Sequence, residues 1–232
     1  MLRLVAGLAA LATLSACASP YVSTPYDRGP ANIQSIAIMD DSLPDNVAMY
    51  QSASVGSNFG LIGALADGVA QAGREGRLKT ILDKQSFDSE TVFEQALATS
   101  LGAQNYTTSS AGQARKNRAF VEKYPAGADG KGAYLDVAVI NYGYLAAGFG
   151  TPYRPAVTAN VRLMSADNKM LMDNRIEYNP LMAQQGVIAL TPNPEYSFMN
   201  IDEMEKAPPG KVTEGLKEAL TVVADTIANL LK

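Results

Sequence analysis

The stretch between Tyr134 and Tyr178 constrains the fold most. Successive residues of a strand point to opposite faces, so alternation of apolar and polar residues marks strands with one face buried. Residues 134–145 alternate, with Leu135, Val137 and Val139 on one side. Residues 156–164 place Val157, Ala159, Val161 and Leu163 on one face, and Met170–Tyr178 returns as a further strand. Between the last two, Asp167-Asn168-Lys169 is turn chemistry. The pattern predicts three consecutive antiparallel strands, a meander with one face to be covered.

A cover is available at the C-terminus. Pro208-Pro209-Gly210 precedes Val212, Leu216, Leu220, Val223, Ile227 and Leu230, an apolar stripe at helical spacing. Upstream, residues 35–39 (SIAIM) predict a buried first strand that ends in a turn at Asp40, Asp41 and Pro44. Residues 57–84 predict two helices broken near Gly73 and Gly76. Asp88 or Ser89 would cap a helix carrying Phe93, Leu97 and Leu101. A short strand at 105–108, a helix over 111–124 and an irregular segment from 179 to 205 complete the reading. The expected class is therefore α+β: a single domain, residues 33–232, with a mixed sheet, a C-terminal three-stranded antiparallel meander and helices covering it.

Composition narrows the function. The chain has no histidine and one cysteine, Cys17. This removes the commonest general base, the Ser-His and Cys-His pairs and any cysteine-built zinc site. No intramolecular disulfide can form, so the fold must rest on its apolar core. A net charge of −4 argues against nucleic-acid binding, and the cluster Arg115, Lys116 and Arg118 reads as a solvated helix face. No G-x-S-x-G, S-x-x-K or G-x-G-x-x-G is present. No cofactor, metal site or catalytic residue is expected.

The N-terminus points elsewhere. Arg3 precedes an uncharged run, residues 4–14, too short to span a bilayer, which needs about 20 apolar residues. Residues 1–16 are thus predicted to be a signal peptide. Leu14-Ser15-Ala16-Cys17 resembles the lipobox of bacterial lipoproteins. The resemblance implies lipidation of the Cys17 sulfur, cleavage before Cys17 and acylation of the new amino group. Two or more acyl chains hold a protein firmly at a membrane, whereas one holds it marginally. Ala18, rather than Asp, implies by the same resemblance the outer membrane, periplasmic face. The alternative is ordinary cleavage at Ala16-Cys17-Ala18. Residues 17–32 carry Pro20, Pro25 and Pro30 and read as an extended tether.

The body resembles, in pattern, the periplasmic modules of the curli-secretion lipoprotein and of lipoprotein activators of penicillin-binding proteins. The segments that carry this are SIAIM, LDVAVINYGY, the 155–178 hairpin and the C-terminal helix. The resemblance implies a non-enzymatic role, recruiting or regulating an envelope protein partner. Three candidate constellations remain. Tyr142, Tyr144, Phe149 and Tyr153 flank a Gly- and Ala-rich turn and read either as a binding surface or as cross-strand packing. Gly56, Gly60 and Gly63 read either as an oligomer contact, within a helix extending to Gly73, or as a small-residue helix buried in the domain. Asp40, Asp41 and Asp45, with Asp202, Glu203 and Glu205, read as solvated turns or as the acids of an envelope hydrolase.

Overall fold

The computed structural model describes residues 21–52, 60–112, 115, 117–125 and 132–232, with the side chains of 60–67 excepted. Cys17 and Gly56 lie outside the described residues. The chain order is α1 (Arg28–Ala31), β1 (Ser35–Ile38), β2 (Ala48–Gln51), α2 (Gly60–Lys84), α3 (Ser89–Ala103), β3 (Thr107–Ser110), β4 (Gly132–Ala146), β5 (Arg154–Ser165), β6 (Met170–Tyr178), β7 (Val187–Leu190), a 3-10 turn (Pro194–Tyr196), α4 (Ile201–Lys206) and α5 (Lys211–Asn229).

Seven strands form one mixed sheet in the order β3-β1-β4-β5-β6-β7, and β2 shares the β1 edge of β4. The expected meander is its centre: β4 pairs antiparallel with β5 and β5 with β6. The remaining pairings are parallel. The fold is α+β, as the alternation predicts.

Helices α3 and α5 cover one face. Phe93, Leu97 and Leu101 of α3 and Leu216, Leu220, Val223 and Ile227 of α5 are fully buried against Leu135, Val137, Val139, Val161 and Leu163 of the sheet. Asp88 caps α3 by accepting from the Thr91 N–H at 3.1 Å.

Several local expectations are corrected. α2 is one helix, not two. A Cβ at Gly73 or Gly76 would meet open space, so each glycine costs only its intrinsic propensity, about 1 kcal/mol relative to alanine. Buried Leu78 and Leu82 and the pairing of Arg77 with Asp202 and Glu205 hold the helix. No helix forms among the described residues of 111–124. Gly112 is left-handed at φ +63°, and Arg115 is drawn into the sheet. The stretch 179–205 is not irregular throughout, since it contains β7 and α4.

The tether is shorter than expected. From Tyr21 onward the chain is docked. Thr24 exchanges two backbone hydrogen bonds with Asp173, at 2.8 and 3.0 Å, and the Tyr21 hydroxyl donates to the Asp173 carboxylate. Arg28 stacks over the Tyr106 ring at 4.6 Å and donates to the Gln104 carbonyl. Proline in this segment does not keep it free, because the edge of β6 ahead of the β7 pairing has unpaired backbone groups to satisfy.

Candidate functional site

One irregularity in β4 decides what the aromatic candidates do. The β4–β5 register shifts between Val139 and Asn141, leaving Ile140 as an extra residue. A bulge of one residue re-aims every side chain after it. Before it, odd-numbered residues of β4 face the helices; after it, even-numbered ones do. Tyr142 and Tyr144 are thereby turned into the core, and Asn141, Gly143 and Leu145 onto the helix-free face. The Tyr144 hydroxyl donates to the Val212 carbonyl at 2.9 Å, and its ring meets Phe198 edge-on. Tyr142 accepts from the Ser89 hydroxyl at 3.0 Å. Burial pushes both phenols above their ordinary pKa.

Tyr153 is also buried and bonds Gln51. Of the four aromatic candidates only Phe149 is exposed, at 78%. They form no common surface: the other three are buried in the core.

What the bulge places on the helix-free face lines a cavity of about 500 Å³. Asn141 and Leu145 come from β4, Ala156 and Thr158 from β5, and Glu177 and Asn179 from β6. Ala48 and Tyr50 of β2 close one side, and Gln71 of α2 reaches it. Leu181, Met182 and Gln184, in the connection between β6 and β7, form the other. Gly143 makes this wall possible. Its φ is +150°, and a Cβ there would lie 1.9 Å from the Ala48 carbonyl oxygen, so only glycine lets β2 pair beside it. Asn179, left-handed at φ +63°, ties the connection down by donating to the carbonyls of Leu145 and Arg154, both at 3.4 Å.

The cavity offers amides, a hydroxyl and a phenol around apolar area. This mixture orients a ligand by a few polar groups while burying its apolar surface. Glu177, the carboxylate in the lining, is paired with Arg175 at 2.9 Å.

The far end of the same face is closed. Arg115 and Asp136 pair at 2.6 Å with their side chains 1% and 0% exposed. The guanidinium also donates to the carbonyls of Asp41, Val137 and Ala119. The carboxylate accepts from the Val121 N–H and the Tyr124 hydroxyl, both at 2.8 Å. Arg115 is therefore a buried cross-tie, not part of a solvated helix face; Arg118 pairs with Asp41 at the surface.

The acidic candidates are dispersed. Asp40 accepts from Ser110, Asp45 is exposed, and Glu203 accepts from the Met199 N–H. Asp202 and Glu205 are both engaged by Arg77. Among the described residues no cluster of three or more acidic, His or Cys side chains is arranged around a metal position. Gly60 and Gly63 lie in the first turn of α2.

Apolar periodicity marks only the core side of each strand, so it passes over the cavity residues. The signal was on the other side: Thr158, Asn160 and Arg162 alternate with the core residues of β5, and Asp173, Arg175 and Glu177 with those of β6. A sheet whose second face is polar along two central strands leaves that face free of helices. Compared with protein-family models, with curated proteins and with solved structures, the chain matches none.

Proposed function

We propose that the chain is a lipid-anchored module of the bacterial outer membrane, exported by residues 1–16, acylated at Cys17, and facing the periplasm. Its role is non-enzymatic: it binds an envelope protein partner in the cavity of the helix-free face and recruits or regulates it. The assembly role that the lipoprotein resemblance implies is consistent with this. The observation that carries the reading is the cavity itself. It is a pocket of ligand-binding size on the sheet face opposite α3 and α5, walled by Asn141, Thr158, Asn179 and Tyr50.

The test is a photo-cross-linking residue at Tyr50, which is 41% exposed at the cavity wall, used in the native envelope. One discrete partner captured from this position, and not from Lys217 on the outward side of α5, is the expected result. Equal capture from both positions, or none from Tyr50, overturns the reading. Anchoring is tested separately. Cys17→Ser should leave a folded protein that no longer fractionates with membranes, and a variant that stays bound to them defeats the anchor.

A second reading has one observation in its favour. Gly68, Val69 and Ala70 are consecutively exposed on α2, so a wide arc of the helix, on the side away from Gln71, meets solvent there. Such an exposed arc suits self-association through the helix that begins at Gly60. Native mass measurement would show a discrete oligomer that Gly60→Leu disperses; a monomer at high concentration excludes it.

A further inference from the structure

The docked N-terminal end of the domain, at Tyr21, lies beside the cavity wall, and its distance from Cys17 is bounded. Four peptide steps separate Cys17 from Tyr21, a reach of at most about 14 Å. Tyr21 itself is fixed. Its hydroxyl is held by Asp173, and its carbonyl oxygen packs on Gly186, where a Cβ would come within 2.1 Å. Gly186 (φ +80°) ends the connection between β6 and β7, whose Gln184 lines the cavity.

Exposed apolar side chains gather at this point. Val22, beside Tyr21, is 81% exposed, and Met182 and Leu181 of the connection are 76% and 41% exposed. Neither 17–26 nor 179–194 contains a charged residue, although 18% of the chain is charged. Two separate segments, brought together by the Tyr21–Gly186 contact, thus form one uncharged strip with apolar side chains outward.

We propose that this strip, Tyr21 and Val22 with residues 179–186, is the membrane-contacting edge of the domain, seated at the headgroup boundary of the bilayer that carries the Cys17 lipid. The inference rests on the lipid-anchor reading. A bilayer is the occupant because the short link from Cys17 keeps the strip beside the membrane at all times. At such an effective concentration even a weak apolar contact is populated. Charged groups, which would have to be dehydrated there, are absent from the strip, whereas apolar side chains gain by entering the headgroup–acyl boundary. The cavity then opens beside the membrane surface, and its partner is met there.

The chain contains no tryptophan, so Met182→Trp introduces a single fluorescent reporter at a side chain already in solvent. The lipidated protein is placed in phosphatidylcholine vesicles with or without brominated acyl chains. At position 182 the brominated lipid should quench the indole by about two-fold or more, as expected for a side chain about 5–10 Å into the boundary. In Lys217→Trp, on the outward side of α5, it should leave the indole unchanged. Mass measurement of acylated Cys17 and flotation with vesicles separate the two claims. A lipidated, floating protein whose indole at 182 is unquenched, or is shielded by a captured protein instead, overturns the membrane edge alone. A protein without acyl groups on Cys17 overturns both.

Discussion

The two faces of the central sheet are built by different physics. The face under α3 and α5 is apolar: Phe93, Leu97, Leu101, Leu135, Val137, Val161, Leu163, Leu216 and Leu220 are fully buried. The opposite face carries Arg162 paired with Asp173, Arg175 with Glu177 and Arg115 with Asp136. Among the described residues it is closed by loops, the N-terminal segment and Gln71 of α2 rather than by α3 and α5. Burial of apolar area is non-directional and holds the fold. Ion pairs and hydrogen bonds need particular geometry, so they shape the second face and leave it a cavity. Stability is expected to reside on the first face and recognition on the second, with one exception.

The largest effects test that division and its exception together. Phe93→Ala empties a site at the centre of the helix-covered face and should cost about 3–5 kcal/mol in urea unfolding. Asp136→Ala lies on the other face, yet should cost a similar amount, about 3–5 kcal/mol, because it strands the fully buried Arg115 without its counter-charge. Arg162→Ala removes a pair whose arginine is 31% exposed and should cost about 1 kcal/mol or less from its charge. Equal losses at Asp136 and Arg162 would mean that the loop-covered end of the second face is no more core than its middle.

Much of this architecture was legible in the residues. The alternation of β4, β5 and β6, the stripe of α5 and the cap at Asp88 each follow from local periodicity, and each lies where expected. The misses share a cause: they depend on contacts distant in sequence. Arg115 leaves a helix-like pattern because Asp136 and three carbonyls await it. The proline-rich N-terminus docks because β6 offers it an unpaired edge. The site was hidden for a subtler reason. An unbroken alternation through 134–145 would have kept Tyr142 and Tyr144 opposite Leu135 and Val137, on the helix-free face. The extra residue at Ile140 reverses them, and only Gly143, unable to be anything larger beside Ala48, hinted that the backbone there was unusual.

A smaller effect separates the termini of the helical layer from its core. The Thr91 N–H, and then its hydroxyl, hold the Asp88 carboxyl below the ordinary aspartate range. The folded pKa is therefore lower than the unfolded one. The cap contributes fully above the unfolded value, near about 4, and its contribution is lost as pH falls through the lower folded value. Asp88→Ala should cost about 1 kcal/mol at pH 7. Asp88→Asn keeps an oxygen for the Thr91 N–H, so it should cost less at pH 7 and should flatten the loss of stability below pH 4. An unchanged acid limb in Asp88→Asn would assign that limb to other carboxylates.

The smallest effect on stability should carry the largest on binding. Thr158 sits on β5 between Val157 and Ala159, which are buried under the helices, but its own side chain lines the cavity. Thr158→Val keeps the shape and β-branching and removes only the hydroxyl. If the second face is shaped for recognition, the urea midpoint should move by no more than about 0.5 kcal/mol, while partner capture from the Tyr50 position falls. A stability loss above about 1 kcal/mol would show instead that the hydroxyl is part of the fold's own hydrogen bonding. The helix-free face would then be a second core that happens to enclose a space, and the division between a face that holds and a face that binds would fail at its centre.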